Sequence, residues 1–140
     1  EIADQIGGEV DLLCASVGTG GALMGTLYGL NESGLSPKTV ALEPLQSPLL
    51  TKGKGGSHKV EGIGVGFYPP FLDKQKIDEF LAIDQEEAFE MRNLLASHHG
   101  IFCGTSTGLN VVGAIQLAKQ MSPHENVVTL GCDSGLKYLD

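Results

Sequence analysis

The residues most suggestive of chemistry form a glycine-rich turn at residues 18–22, with the sequence Gly-Thr-Gly-Gly-Ala. The turn follows an apolar run over residues 10–15, which predicts a buried strand, and leads into residues 22–31, which predict a helix. Glycines between a strand and a helix let backbone N–H groups close around a phosphate at the positive end of the helix, because no Cβ blocks the approach. We therefore predict that this turn binds a phosphate group.

The same turn also fits part of a dinucleotide-binding fingerprint. Gly18 and Gly20 have the spacing of its first two glycines, and Glu43 ends the next predicted strand, where a ribose-binding acid is expected. The third glycine of the fingerprint would fall at Leu23, so the match is incomplete. A P-loop is excluded, since no Lys-Ser or Lys-Thr pair follows at the required spacing. A tight turn without a ligand is the remaining alternative.

Three further segments could face the same ligand. Ser106 and Thr107 precede a largely apolar helix predicted over residues 109–119, where they could cap the helix or reach a ligand. Residues 61–67 have glycine at every second position, which is unsuited to a strand interior and indicates backbone that passes close to another group. Residues 131–135 form a third polar, glycine-containing turn.

Strand-like and helix-like segments alternate along the chain, which predicts an α/β fold. We expect a three-layer αβα arrangement in which a mostly parallel sheet lies between helices. Ligands of such sheets bind beyond the carboxyl ends of the strands, where the glycine-rich and polar turns would meet. The predicted strands are residues 10–15, 39–43, 79–83, 101–103 and 126–130, and a short helix is predicted at 47–51.

The charged segments are interpreted as structural. Asp84 is predicted to cap a helix that ends at Gly100, with Glu87 completing a capping box. The lysine- and glycine-rich residues 52–59 predict a mobile, solvated loop, with a lid as the alternative. No catalytic role is expected for the loop-borne or solvent-facing histidines, which are His58, His98, His99 and His124.

Composition and charge limit the classes of partner. The chain has 140 residues, of which 41% are hydrophobic and 19% charged, as expected of one globular domain. A net charge of −8 argues against nucleic acid and anionic membrane surfaces, which attract basic proteins. Cys14, Cys103 and Cys132 are widely spaced and odd in number, so we expect buried thiols in a reducing compartment and no metal site.

The first residues predict the end of a helix, because Gly7 and Gly8 follow residues 1–6 directly. A domain rarely begins in the last turns of a helix. We therefore expect this chain to be a fragment that lacks a sizeable N-terminal part.

Five motifs together resemble one enzyme family. They lie at residues 16–21, at 40–44 with Ser47 and Pro48, at 58–67 with Pro69 and Pro70, at 104–108 and at 133–139. In this order they resemble the C-terminal half of cysteine synthase (O-acetylserine sulfhydrylase) and its relative cystathionine β-synthase. These are fold type II pyridoxal-phosphate (PLP) enzymes, and the resemblance covers essentially the whole chain.

The resemblance implies three groups of cofactor-binding residues. The loop that binds the cofactor phosphate is matched by Gly18, Thr19, Gly20, Gly21 and Ala22, although relatives usually have threonine in place of Ala22. Ser106 matches the serine that hydrogen-bonds to the pyridine nitrogen. A neutral hydroxyl there limits the electron-sink character of the ring and suits β-elimination. The segment beside the cofactor and substrate is matched by Gly62, Ile63 and Gly64.

Other family features are altered or absent from this sequence. Cys132 replaces a common proline, and Leu136 replaces a common glutamate. In the family, the lysine that binds the cofactor covalently and the substrate-carboxylate loop lie in the N-terminal half. Four lysines of this chain do not match that motif: Lys38, Lys52, Lys54 and Lys59. We therefore expect residues 1–140 to be a C-terminal PLP-phosphate-binding domain that does not turn over alone.

For the complete enzyme, the resemblance implies cysteine biosynthesis by β-replacement, in which sulfide displaces acetate from O-acetylserine. It also implies a homodimer. The charge and the cysteines considered above add the expectations that the protein is cytoplasmic and that it does not act on nucleic acid or membranes. A cystathionine β-synthase type of reaction, or β-elimination from serine or threonine, is the alternative within the class. A nucleotide-binding or non-catalytic domain is the alternative from another class.

Overall fold

A computed structural model describes residues 1–139 of the chain. Its centre is a four-stranded sheet in the order β3-β2-β1-β4, in which every described pairing is parallel. The strands are β1 (Leu12–Ser16), β2 (Lys38–Pro44), β3 (Glu79–Ile83) and β4 (Val127–Val128). The predicted α/β class with a mostly parallel sheet is confirmed.

Within residues 1–139, five α-helices cover the two faces of the sheet. They are α1 (Ile2–Ile6), α2 (Gly21–Glu32), α3 (Leu49–Lys52), α4 (Gln85–His99) and α5 (Thr105–Ala118). Two short 3-10 helices, Lys74–Lys76 and Gly135–Tyr138, lie in the connections. Within residues 1–139, no helix is both long and apolar enough to cross a bilayer.

Strand β1 is apolar and divides its side chains between two hydrophobic clusters. Leu13 packs on one face of the sheet in a cluster that includes Leu23 of α2. Cys14 packs on the other face in a cluster that includes Ala88 of α4 and Leu109 of α5. Because side chains of a strand alternate between faces, this one strand anchors both helical layers. The three-layer arrangement follows from it.

Helix α5 begins at Thr105, four residues earlier than the predicted start at residue 109. The predicted start was too late because Gly108 was interpreted as the end of a turn, which is the usual meaning of a glycine just before an apolar run. In the structure it is a packing residue, since a Cβ at Gly108 would collide with the carbonyl oxygen of Ala88 in α4. The glycine therefore permits the close approach of the two helices.

Two predicted strands differ from the structure. Residues 101–103 do not form a strand of the sheet, and only Cys103 makes an isolated antiparallel bridge, to Ser134. The predicted buried strand at residues 126–130 shortens to the half-buried β4, because Thr129 Oγ1 donates to the carbonyl oxygen of Cys14 at 2.7 Å. A side-chain hydrogen bond thus takes the place of the next backbone hydrogen bond between β1 and β4.

The cap of α4 is confirmed, but the capping box is wrong. Asp84 Oδ1 accepts from the backbone N–H of Glu86 at 3.0 Å and from Gln46 Nε2 at 2.8 Å. These two bonds lower the pKa of the Asp84 carboxyl, with the backbone bond as the larger cause. Glu87 instead accepts from Gln116 Nε2 at 3.4 Å and so joins α4 to α5.

Asn110 links β1, α5 and the segment that follows β4. Its Oδ1 accepts from the backbone N–H of Ser16 at 2.7 Å, and its Nδ2 donates to the carbonyl oxygen of Leu130 at 2.8 Å. The side chain has no exposed surface. Sequence reasoning missed this residue, since an asparagine within an apolar helix gives no indication of which distant groups it will contact.

Replacement of Asn110 by alanine should lower the free energy of unfolding by about 2–4 kcal/mol, because the buried N–H of Ser16 and the part-buried carbonyl oxygen of Leu130 lose their partner. The measurement is urea-induced unfolding followed by circular dichroism. Asn93 is an exposed asparagine of α4 and gives the matched control, so Asn93→Ala should stay within about 0.5 kcal/mol of the parent. An equally small effect of Asn110→Ala would contradict the role given to its amide.

Candidate functional site

A cleft of about 530 Å³ opens at the carboxyl end of the sheet, between β1 and β4. The chain adds β2 and β3 on one side of β1 and then crosses to place β4 on the other side. Ligands of parallel sheets bind at the point where the strand order reverses in this way, since the connections on either side diverge there. The topology therefore places the candidate site where the glycine turn begins.

Most of the residues assigned by resemblance line this cleft. The lining includes Gly18, Thr19, Gly20, Ala22, Gly62, Ile63 and Ser106. Gly21 is not part of the lining and begins α2, where its N–H donates to Thr19 Oγ1 at 3.4 Å. Gly64 lines a small neighbouring cavity instead. The structure thus brings together segments that are separated by up to 88 positions in sequence, from Gly18 to Ser106.

The glycine turn has the geometry of an anion cradle. Gly20 is the N-cap of α2 and has a φ of +88°, which favours glycine. A Cβ on Gly18 would collide with the carbonyl oxygen of Gly62, so only glycine fits between these two segments. The N-cap glycine has no side chain to cap α2, and the first turn of α2 carries no carboxylate. Among residues 1–139, Thr19 Oγ1 accepts from the N–H of Gly21 only, at 3.4 Å. The N–H groups and positive dipole end of α2 therefore suit a phosphate.

The hydroxyl of Ser106 is positioned by the first turn of α5. The N-cap of this helix is Gly104, and among the described residues no side chain takes the capping hydrogen bond. Capping, the alternative given for Ser106, is therefore wrong, and the buried serine lines the cleft instead. Thr107 has a structural role, because its Oγ1 accepts from the backbone N–H of Cys132 at 3.0 Å.

His58 fixes the glycine-rich segment against the turn. Its Nδ1 accepts from the N–H of Val60 at 3.2 Å, so Nε2 carries the proton and donates to the carbonyl oxygen of Gly64 at 2.9 Å. The N–H of Gly64 in turn donates to the carbonyl oxygen of Val17 at 3.1 Å. Both ring nitrogens of His58 are therefore occupied by backbone groups.

A polar cluster on the C-terminal segment forms another wall of the cleft. Tyr138 donates its hydroxyl proton to Asp133 Oδ2, and this bond is the main cause that raises the pKa of Tyr138 to about 12. Lys137 Nζ lies 3.8 Å from the same carboxylate oxygen. The backbone carbonyl of Asp133 accepts from the N–H of Gly104, which holds this segment at the start of α5.

Glu43 does not have the ribose-binding role considered from sequence. Its side chain is buried, and its Oε2 accepts from the N–H of Leu50 at 2.8 Å. Its Oε1 accepts from both the N–H and the hydroxyl of Thr51, at 2.8 and 2.7 Å. Both carboxylate oxygens are therefore used within the fold, where they stabilise the start of α3.

The three cysteines are free, but only two are buried as expected. Burial raises the pKa of the Cys14 thiol to about 11 and also raises that of Cys103. Cys132 is exposed and lines the cleft, so the expectation of a buried thiol was wrong there. The reason is that β4 ends at Val128, and the chain leaves the sheet before it reaches Cys132.

The arrangement fits a ligand that combines a phosphate with a polar ring. The glycine turn offers backbone N–H groups, and Ser106 offers a hydroxyl from the neighbouring helix. The side chain of Ser16 is buried in the same cleft, and among residues 1–139 its Oγ has no hydrogen-bond partner. Asp133 Oδ1, in the same cleft, is likewise buried without a partner among these residues. Buried polar atoms are nearly always paired, so these two atoms are candidates for contact with a bound group.

The family model described as pyridoxal-phosphate dependent enzyme matches residues 1–133, and the chain belongs to this family. Its similarity is to the cysteine synthases in particular. Cysteine synthase B of Campylobacter jejuni is 40% identical over 139 residues, which are 99% of this chain and 46% of that protein. The chain thus spans about half the length of the curated relatives it matches.

Solved structures of related enzymes share the fold. A hydrogen sulfide-producing enzyme from Fusobacterium nucleatum is 37% identical with a TM-score of 0.89, over 99% of this chain and 47% of that one. The O-acetylserine dependent cystathionine β-synthase from Helicobacter pylori is 34% identical with a TM-score of 0.88, over 99% and 45%. Membership of the fold type II PLP enzymes, expected from the motifs, is confirmed.

Replacement of Gly18 by alanine should abolish phosphate-ligand binding, because the new Cβ would collide with the backbone of Gly62 and separate the two segments. Isothermal titration with PLP measures the effect. Gly25 is the control, because it is exposed within α2 and a Cβ added there would meet nothing within 4 Å. Gly25→Ala should bind normally and gain about 0.5–1 kcal/mol of stability. Normal binding by Gly18→Ala would refute the close-packing argument.

Alkylation should distinguish the three thiols. At pH 8, iodoacetamide should modify Cys132 rapidly, whereas Cys14 should remain protected, because its thiol is buried and its pKa of about 11 keeps it protonated. Mass spectrometry of tryptic peptides reports each site, and Cys132→Ser should remove the rapid modification. All three cysteines should react in urea. Rapid labelling of Cys14 in the folded protein would be inconsistent with this burial.

Proposed function

We propose that this chain is the C-terminal, PLP-phosphate-binding half of a cysteine synthase, which makes cysteine from O-acetylserine and sulfide. The observation that carries the proposal is the single cleft lined by the glycine turn, the Gly62–Ile63 segment and Ser106. Its topology and its donors suit a phosphorylated ring. The similarity to curated cysteine synthases supports the choice of reaction.

The residues of the glycine turn would hold the cofactor phosphate. Gly18, Thr19, Gly20 and Ala22, which line the cleft, would contribute backbone N–H groups, and Thr19 would add a hydroxyl. Gly21 belongs to the same turn, and its N–H is bonded to Thr19 Oγ1. Ala22 lacks the hydroxyl that relatives usually have there, so backbone donors and the dipole of α2 would carry more of the binding. Gly62 and Ile63 would form the wall beside the bound ring and the substrate, and Gly64 would support this wall from the neighbouring cavity.

Ser106 would donate a hydrogen bond to the pyridine nitrogen. The bound cofactor supplies the electron-withdrawing ring on which replacement of acetate by sulfide depends. A neutral hydroxyl would not hold a proton on this nitrogen as a carboxylate would, and the positive end of the α5 dipole would also disfavour a positive charge there. Ser106 would thus limit the electron-sink character of the ring, which suits β-elimination.

The lysine that binds the cofactor covalently would lie outside these 140 residues. Lys137 lines the cleft, but its Nζ is close to the Asp133 carboxylate and it does not match the family's lysine motif. We further propose a cytoplasmic homodimer. The free thiols support a reducing compartment, and the family resemblance supports the dimer.

A cystathionine β-synthase reaction is the second candidate, since the Helicobacter pylori neighbour carries that name and also uses O-acetylserine. The two reactions differ in the sulfur nucleophile, which is sulfide in one and homocysteine in the other. A nucleotide-binding domain is disfavoured, because Glu43 uses both of its carboxylate oxygens within the fold.

The full-length protein that contains this chain should form cysteine from O-acetylserine and sulfide. Ser106→Ala should lower PLP affinity or kcat/KM by about tenfold, the value of one hydrogen bond. The control is Ser97→Ala, because the hydrogen bonds that the structure describes for this exposed serine all stay within α4. Cystathionine formation from homocysteine at a higher kcat/KM would favour the second candidate, and failure with every sulfur nucleophile would refute both.

Borohydride reduction of the full-length holoenzyme should attach the cofactor to a lysine outside this chain. Peptide mapping by mass spectrometry identifies the modified residue, and Lys137→Arg should leave the adduct in place. An adduct on Lys137 or another lysine of this chain would overturn the proposed division between the two halves. This chain alone, incubated with PLP and borohydride, should gain no mass at a specific lysine.

A further inference from the structure

Ser16 is the last residue of β1 and lies on the floor of the cleft. Alternation along the strand puts Ser16 on the same face as Leu12 and Cys14, which pack against α5. This is the side of the sheet from which Ser106 enters the cleft. Ser16 is therefore placed toward the part of the cleft formed by α5, rather than toward α2.

The hydroxyl of Ser16 is one of two buried side-chain atoms of the site that have no hydrogen-bond partner among residues 1–139, and the other is Asp133 Oδ1. The second carboxylate oxygen of Asp133 is paired with Tyr138, whereas Ser16 has no other side-chain polar atom. The residue is 8% exposed, and its Oγ is buried without a hydrogen-bond partner among residues 1–139. Its backbone N–H, in contrast, is bound to Asn110 Oδ1 at 2.7 Å. A serine hydroxyl can donate one hydrogen bond and accept two, and an unpaired one retains the full penalty of its removal from water.

We propose that Ser16 is a cofactor-contacting residue whose hydroxyl hydrogen-bonds to the polar edge of the PLP ring on the α5 side of the cleft. This inference rests on the proposed function, since it requires PLP in this cleft. The glycine turn would hold the phosphate and Ser106 the ring nitrogen, and Ser16 lines the same cleft as both. A rotation about the Cα–Cβ bond of Ser16 suffices to turn its small hydroxyl toward a ligand there.

If Ser16 contacts the cofactor, Ser16→Ala should affect both the stability of the apoprotein and the affinity for PLP, unlike the loss of a purely structural serine. Without cofactor, the Ser16 hydroxyl destabilises the fold because it is buried and unpaired, so its removal should stabilise the apoprotein. With cofactor, the same hydroxyl contributes to binding, so its removal should weaken PLP affinity. The two effects of Ser16→Ala are therefore opposite in sign.

Ser47 provides a matched control. It is a buried serine outside the cleft, and its Oγ accepts from the backbone N–H of Gly56 at 3.0 Å. Because this hydroxyl is already paired, Ser47→Ala should destabilise the apoprotein. PLP affinity should be unchanged, since Ser47 does not line the cleft.

The test measures urea unfolding of the cofactor-free, full-length protein and its equilibrium titration with PLP, for the parent, Ser16→Ala and Ser47→Ala. Ser16→Ala should raise the urea midpoint and weaken PLP binding by about five- to tenfold, whereas Ser47→Ala should lower the midpoint and bind normally. Unchanged PLP affinity in Ser16→Ala, or a lower midpoint together with weaker binding, would overturn the assignment. A parent protein that binds no PLP would instead refute the proposed function itself.

Discussion

The early separation of β4 from β1 is the constraint on which the site depends. The two strands pair only through Leu12 and Leu13, and beyond them side chains take over the hydrogen bonds of β1. Thr129 donates to the carbonyl oxygen of Cys14, and Asn110 accepts from the N–H of Ser16. Because buried backbone groups must be paired, the sheet can open into a cleft at this point only where such side chains are available.

The side-chain hydrogen bonds that take the place of sheet hydrogen bonds also position the walls of the cleft. Asn110 belongs to α5, so its bond to β1 also fixes how far the start of that helix projects over the strand ends. Its second bond, to Leu130, directs the chain after β4 toward Cys132 and Asp133. One buried amide thus couples the position of Ser106 to the position of the C-terminal segment.

Close backbone packing is the second requirement of the site, and glycine satisfies it. Gly18 lies against Gly62 in the cleft, and Gly113 lies against Leu42 beneath it, where a Cβ would approach to 2.6 Å. The first contact brings the glycine turn close to the Gly62 segment, and the second brings α5 close to the sheet, in each case closer than a larger residue would permit. The high glycine content of the chain therefore reflects packing as well as turns.

Local sequence determined the alternation of strands and helices, the glycine turn after β1, the cap at Asp84 and the bounds of β3. Each depends on neighbours within a few residues, so periodicity and turn chemistry suffice to predict it. Tertiary structure decided the start of α5 at Thr105, the shortening of β4, the exposure of Cys132 and the structural use of Glu43. These features depend on groups that are distant along the chain, and the free energy of pairing or packing those groups exists only once the elements have come together.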